Sequence, residues 1–255
     1  MSKDTNFDLH SVKFKKNIYN TAKGQIRLKI VVDDILQNIP VLLDNKPLSI
    51  LDAGCGMGQV SKALEQENRA LTLCDISADM LAMAQQTLSA SPSDIEYIHS
   101  SLQDLGEQHD HKYDLVIFHA VLEWLDDPQA IIPVLKKRLK PGGYISLMFY
   151  NLNSIIFYNL LKGNFKKVLQ QDFKGHPGGL TPINPINPQE LDGWLDKHQI
   201  KTLKKTGVRV LYDYLRKDLK ENRSFDDIIE IESIYAHQEP FNMMGRYIHY
   251  ICQIE

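Results

Sequence analysis

Short apolar runs recur along the chain at intervals wide enough to hold a helix, and the stretches between them carry apolar residues at helical spacing. Runs at Leu48 to Asp52, Ala70 to Asp75, Ile95 to His99, Tyr113 to His119 and Gly143 to Tyr150 read as strands. Helices start near Met57, Ser77 and Pro128. Ser77 suits an N-cap, with Met80, Leu81, Ala84 and Leu88 forming the apolar face behind it. The turn Lys140-Pro141-Gly142-Gly143 ends the helix that carries Ile131, Val134, Leu135 and Leu139, and launches the fifth strand. Such alternation marks a parallel sheet with helices on both faces.

After Tyr150 the alternation loosens. Residues 151 to 188 hold a helical segment and then the run HPGGLTPINPINP. A stretch of that length with little regular pattern predicts an inserted lid or substrate segment. Order returns with a helix over Pro188 to His198, a strand over Lys201 to Leu211, helical residues near 213 to 236 and a last strand through Tyr247 to Ile251. The expectation is one α/β domain over residues 1 to 255, with a largely parallel sheet of seven strands and residues 1 to 47 as an N-terminal helical cap.

Composition narrows the class of protein. No apolar run reaches the roughly 18 to 20 residues that cross a bilayer, and the start, MSKDTNFDLH, has no apolar signal core, so a cytoplasmic protein is expected. Cys55, Cys74 and Cys252 lie far apart without C-x-x-C spacing, which predicts neither a disulfide frame nor a metal site. The net charge of -3 hides an uneven distribution. Lys13, Lys15, Lys16, Lys23, Arg27 and Lys29 form one basic cluster, and Lys162, Lys166, Lys167 and Lys174 a second. A third runs through Lys197, Lys201, Lys204, Lys205, Arg209, Arg216 and Lys217. Each cluster alone reads as a solvated face; gathered on one side, the three would make a footprint for a polyanion such as RNA.

The chemistry starts at Leu51-Asp52-Ala53-Gly54-Cys55-Gly56-Met57-Gly58-Gln59, a glycine-rich turn between a strand and a helix. The next strand ends on Asp75. Glycines that let backbone approach a ligand, followed by an acid that accepts from ribose hydroxyls, are the means of holding a nucleoside. The spacing is G-x-G-x-G, with Gln59 where a dinucleotide fold needs its third glycine, and Asp52 ahead of the loop favours a cationic ligand without phosphates. S-adenosylmethionine is the natural candidate. Leu102 and Gln103, after the third strand, are placed to meet an adenine by packing and by hydrogen bonding. His119, ending the fourth strand, sits near the reacting end, where a role in proton transfer competes with a packing or hydrogen-bonding role.

The run Phe118-His119-Ala120-Val121-Leu122-Glu123-Trp124, with Leu51-Asp52-Ala53-Gly54, Lys140-Pro141-Gly142-Gly143 and Leu147-Met148-Phe149-Tyr150-Asn151, resembles the class I S-adenosylmethionine methyltransferases, which have a Rossmann-like fold. Three more stretches narrow the resemblance to the bacterial tRNA 5-carboxymethoxyuridine methyltransferases: residues 16 to 27, Lys205-Thr206-Gly207-Val208-Arg209-Val210 and Gly245-Arg246-Tyr247-Ile248-His249. The resemblance implies methyl transfer to the carboxylate of 5-carboxymethoxyuridine in the anticodon region of tRNA. It also implies Arg27, Gly54, Cys55, Asp75, Leu102, Gln103 and His119 as cofactor contacts, Arg27 pairing with the methionine carboxylate. Cys55 stands where a second glycine can stand in the family, which matters only if the loop needs positive φ there. A carboxylate is already ionised at neutral pH, so no catalytic base is expected. Arg209 and Arg246 are the candidates for gripping the substrate carboxylate or a phosphate, and Tyr150, Tyr212 and Tyr214 for base or ribose contacts. Two other readings use the same letters: a small-molecule carboxyl or hydroxyl methyltransferase, and a non-catalytic module that binds RNA or protein.

Overall fold

The computed structural model describes residues 21–105, 109–175 and 182–255. Helix α1 (Ala22–Asn38) precedes five strands, β1 (Leu48–Ala53), β2 (Arg69–Asp75), β3 (Asp94–His99), β4 (Tyr113–His119) and β5 (Leu139–Tyr150). Helices α2 (Gln59–Leu64), α3 (Ala78–Thr87) and α4 (Ile131–Lys137) connect them. The second half runs α5 (Leu152–Leu161), α6 (Phe165–Leu169), α7 (Pro188–Lys197), β6 (Ile200–Val208), α8 (Lys217–Asn222), α9 (Phe225–Tyr235) and β7 (Tyr247–Ile254). The seven strands form one sheet in the order β3-β2-β1-β4-β5-β7-β6, with β7 antiparallel to both neighbours and β1 to β5 parallel.

The central strands are apolar on both sides because helices cover both faces. Leu51, Val116, Phe118, Ile145, Leu147 and Tyr250 pack with α4 and α7 through Ile131, Leu135, Leu191 and Leu195. Their alternates Ile50, Leu71, Leu73, Leu115, Ile117 and Ile251 pack with α1, α2, α3 and α9 through Ile30, Ile35, Leu64, Ala84 and Ile228. Adjacent residues of one strand thus belong to different cores, as the two-residue repeat of a strand requires.

The expected strands are all present, and the departures lie at turns. Helix α2 starts at Gln59, two residues beyond the expected start, because Gly54, Gly56 and Gly58 all take left-handed φ and keep the loop out of helix. Helix α4 starts at Ile131, after Asp127 has capped the N–H groups of Gln129 and Ala130. Residues 140 to 143 lie within the span of β5, beside a register shift against β4, with Gly142 at φ +75°. Ser77 caps α3 as expected, accepting from the N–H of Met80.

Within residues 151 to 188 the described part is helices α5 and α6 and a return to the sheet, where Ile186 pairs beside Asn151 and Asn184 donates to the Leu125 carbonyl. Residues 176–181, within the proline- and glycine-rich run, and residues 1–20, with Lys13, Lys15 and Lys16, lie outside the described residues. So does the part of the expected N-terminal cap that precedes Thr21.

Candidate active site

The strand order reverses between β1 and β4, and in an open sheet the crevice at such a switch point is where ligands bind. A cavity of about 220 Å³ lies there, at the carboxyl ends of the strands. All seven residues expected around the cofactor line it: Arg27, Gly54, Cys55, Asp75, Leu102, Gln103 and His119.

Backbone builds the β1–β2 side. The N–H groups of Gly54 and Cys55 both donate to the Cys74 carbonyl, at 2.8 and 3.1 Å, tying the turn to the end of β2. The Asp75 carboxylate accepts from Gly56 N at 2.8 Å and from Ser77 N at 2.9 Å, so it also fixes the loop from below. Gly54 is required twice over: its φ is +73°, and a Cβ there would come within 2.4 Å of Val121 Cγ2. Cys55 is not among the positive-φ residues, which explains why a side chain is accepted at its position.

Asp52 is buried beneath the loop and accepts from Ser61 Oγ at 2.6 Å. Burial pushes its carboxyl up to about 7, the Ser61 hydrogen bond opposing this and the Asp75 charge adding to it. Glu123, 1% exposed, is likewise pushed up to about 8 by burial. Burial, with the nearby His249 and the Arg27 charge, holds His119 well below the ordinary imidazole range, so the ring is neutral at working pH. Its Nε2 lies 2.7 Å from Ser146 Oγ on β5.

Of the five expected substrate residues, Tyr150 lines the cavity and four others do not. Arg246 stacks on that wall residue, its guanidinium 4.7 Å from the Tyr150 ring centre and 5.7 Å from that of Tyr158. No carboxylate stands within ion-pair distance of Arg246 among the described residues. Arg209 is otherwise engaged. It is buried at φ +61°, lies 2.9 Å from Asp213 in an ion pair too bent to be a hydrogen bond, and stacks on Tyr247. Although burial alone would raise Asp213, Arg209 and Lys23 hold its carboxyl below the usual range. Tyr212 is held through its backbone N–H by Glu232, and Tyr214 donates its hydroxyl to the Met244 carbonyl.

Sequence reasoning missed Glu232, whose carboxylate accepts from the N–H groups of Val210, Leu211 and Tyr212 and so shapes the loop after β6. One of two acids, Glu230 and Glu232, in the largely apolar run IIEIESIY was the available signal. It also missed Asp34, buried on α1 seven residues after Arg27 and therefore on the same helical face. The third basic cluster divides differently from the expectation. Lys205 pairs with Asp192, Arg209 with Asp213, Arg216 with Asp218 and Lys217 with Glu221. Lys201 and Lys204 lie on the edge strand β6, where lysines deter unwanted pairing.

Comparison with known proteins agrees with this geometry. Residues 51–147 match the family model described as a methyltransferase domain. The chain is 37% identical over 248 residues, 96% of its length and 95% of the relative's, to the tRNA 5-carboxymethoxyuridine methyltransferase of Escherichia coli K12. A ubiquinone biosynthesis O-methyltransferase of Klebsiella pneumoniae is 27% identical over 153 residues, 60% of this chain and 61% of the relative. Among solved structures, magnesium protoporphyrin IX methyltransferase from Synechocystis PCC 6803 with bound SAH superposes with a TM-score of 0.64 at 17% identity, covering 98% of this chain and 96% of that one. The near full-length match takes in the stretches around Arg27, Arg209 and Arg246 as well as the glycine loop, and this chain belongs to the tRNA 5-carboxymethoxyuridine methyltransferase family of S-adenosylmethionine-dependent enzymes.

Proposed function

We propose that this protein transfers a methyl group from S-adenosylmethionine to the carboxylate of 5-carboxymethoxyuridine at the tRNA wobble position, forming the methyl ester. The observation that carries the reading is Arg246: a guanidinium stacked on a tyrosine of the cavity wall, with no carboxylate of the described residues within ion-pair distance. That arrangement suits an incoming carboxylate.

The cavity's side chains fit the cofactor. Gly54 permits close backbone approach, Asp75 suits ribose hydroxyls, and Leu102 and Gln103 suit an adenine. Arg27 is the cation for an amino acid carboxylate, and Asp52 the acid for an ammonium. When bound, S-adenosylmethionine supplies a methyl group on a sulfonium sulfur, and attack by a carboxylate oxygen forms the ester C–O bond as the C–S bond breaks with its electrons left on sulfur. The nucleophile is ionised already, so the protein's part is to hold it in line, a task that alone supplies effective molarities of about 10⁵ to 10⁸ M. Arg246 grips the carboxylate, and Tyr150 and Tyr247 exclude water around it.

A path for RNA leads outward from this point. Tyr150, Arg246, Tyr158 and Lys162 form a stack of alternating rings and cations, Lys162 lying 4.6 Å from the Tyr158 ring centre. It continues to Lys166 and Lys167 on α6 beside Phe165, which is 60% exposed. Cations for phosphates with an exposed ring for a base are the components of a single-strand contact. The site of action is the cytoplasm, where tRNA is modified.

The test is mass spectrometry of nucleosides from tRNA lacking the ester, before and after incubation with the protein and S-adenosylmethionine. Conversion of 5-carboxymethoxyuridine to its methyl ester is expected; unchanged tRNA from a protein that binds the cofactor overturns the reading. Replacing Lys166 and Lys167 with Glu should raise KM for tRNA and leave cofactor affinity as it was.

A further inference from the structure

Behind His119 a line of buried polar groups runs from the cavity wall through the sheet to the N-terminal helix. Ser146 Oγ on β5 lies 2.7 Å from His119 Nε2 and equally 2.7 Å from His249 Nε2 on β7. The two imidazoles are perpendicular, 5.2 Å apart. His249 Nδ1 lies 2.5 Å from Asp34 Oδ2, and the other oxygen of Asp34 accepts from Thr206 Oγ1 and Asn38 Nδ2. Asp34, His249, Ser146 and Thr206 are all fully buried. Parallel and antiparallel pairing on the two sides of β5 bring these groups together across four strands.

Hydrogen-bond bookkeeping gives this line a direction. A carboxylate only accepts, so His249 Nδ1 is the donor to Asp34. In a neutral His249 ring Nε2 is then an acceptor, and the single hydroxyl proton of Ser146 goes to it. Ser146 can in turn only accept from His119, which must carry its proton on Nε2. At the other end, His119 Nδ1 is buried and has no hydrogen-bond partner among the described residues. Nothing there competes for the tautomer, which is dictated from the Ser146 side alone.

We propose that Asp34, His249 and Ser146 are positioning residues for the methyl-transfer site, acting through one another to hold His119 as the neutral Nε2–H tautomer, with the negative end of its ring dipole directed away from Ser146. The proposal rests on the reading of this cavity as the cofactor site. An imidazole fixed in the other tautomer would turn the positive end of its dipole away from Ser146, in a wall of the cavity that already carries the Arg27 charge. Second partners of this kind commonly fix ring tautomers where a histidine serves a site. A plainly structural role would differ in one respect: Asp34 alone would clamp α1 to the sheet, and the state of His119 would not depend on Ser146.

Two variants separate the possibilities. Ser146→Ala removes the middle of the line and leaves the Asp34 to His249 contact, and so the seat of α1, in place. Asp34→Asn removes the origin of the direction. Proteins labelled with ¹⁵N at histidine, with His119→Gln assigning its signals, report the tautomer directly. In both variants His119 should change from a single Nε2–H form to a mixture. Affinity for S-adenosylhomocysteine should fall about fivefold, the size of one hydrogen bond, with the loss seen in the cofactor KM more than in kcat. The melting temperature should drop in both variants, and α1 should loosen from the sheet only in Asp34→Asn, as hydrogen exchange along α1 would show. If His119 keeps its Nε2–H form and the affinity holds in Ser146→Ala, the relay is overturned, whatever Asp34→Asn does. A wild-type protein that binds cofactor and leaves carboxymethoxyuridine unmethylated would overturn the functional reading and leave the relay standing.

Discussion

Around Gly54 the cavity is made of backbone, and around Arg246 it is made of side chains. The glycine loop is held by N–H groups on the Cys74 carbonyl and the Asp75 carboxylate, all within one βαβ unit. On the opposite wall Tyr150, Tyr158 and Tyr247 are stacked with Arg246 and Arg209, and Arg209 in turn faces Asp213. Those groups come from β5, α5, β7 and the loop after β6, which meet only when the sheet is complete. On the proposed reading, the glycine-loop side of cofactor recognition is a property of local chain geometry, whereas substrate recognition is a property of an assembled network. Substitutions should divide accordingly, on the first wall into those that strain a turn, on the second into those that unfold and those that only disarm.

Arg209→Ala should have the largest effect, and on stability. It leaves Asp213 buried and short of a partner, a defect that costs about 3 to 5 kcal/mol when a buried pair is broken, the low end applying because Lys23 still pairs with Asp213. Thermal melting should fall by on the order of 10 °C. A normal melting curve with lost tRNA methylation would return Arg209 to the substrate site.

Gly54→Ala comes next, on the other wall. A left-handed alanine costs about 1 to 2 kcal/mol and the approach to Val121 about as much again, so calorimetric affinity for S-adenosylhomocysteine should drop roughly 100-fold. Unchanged affinity would mean that the ligand does not depend on this turn.

Arg246→Ala should sharpen the contrast with Arg209, since Arg246 has no ion pair to lose among the described residues. Losing a charged hydrogen bond to the substrate carboxylate predicts a fall of about 10- to 100-fold in kcat/KM for tRNA, with cofactor affinity and melting temperature unchanged. Arg246→Lys should restore little, because an ammonium offers neither the flat stack nor the two-pronged grip.

The smallest effect is a pH dependence. Asp52 is pushed up to about 7 by burial, so it is mostly protonated at pH 6 and ionised at pH 8. A cationic ligand favours the ionised form, and cofactor affinity should rise several-fold across that interval. For the empty protein the sign is opposite: a carboxyl raised in the fold binds its proton more tightly folded than unfolded, so its contribution to stability is full below about 4 and is lost as pH rises through about 7. Glu123 titrates nearby, at about 8, so Asp52→Asn separates them by flattening the affinity profile only if Asp52 is the group at work.

The same contrast decides what could be read from the letters. Gly54, Asp75, Leu102, Gln103 and His119 were legible because a strand, a turn and an acid in order imply their own geometry, and in the structure they line one cavity. Arg209 and Arg246 looked alike in sequence, each in a stretch matching the family. What separates them is that Asp213, four residues on, pairs directly with the first, while no described acid comes within ion-pair distance of the second, which acts on Asp213 only through its charge. Asp34 was opaque for a related reason: apart from Asn38, its side-chain partners Thr206 and His249 lie 172 and 215 residues away in sequence, and no local pattern announces a register between strands so far apart.

The reversed direction of β7 has a consequence for how the enzyme is made. Because β7 runs against its neighbours, its first residues, Tyr247 and His249, arrive at the same end of the sheet as the last residues of β5. The strand is also inserted between β5 and β6, in the interior of the sheet. During synthesis the chain must therefore hold β6 apart from β5 until residue 254 has left the ribosome, and only then can the gap close. The glycine loop can take shape on a nascent chain, but the wall that faces it is finished in one late, non-local step, so no partly made chain carries a working site.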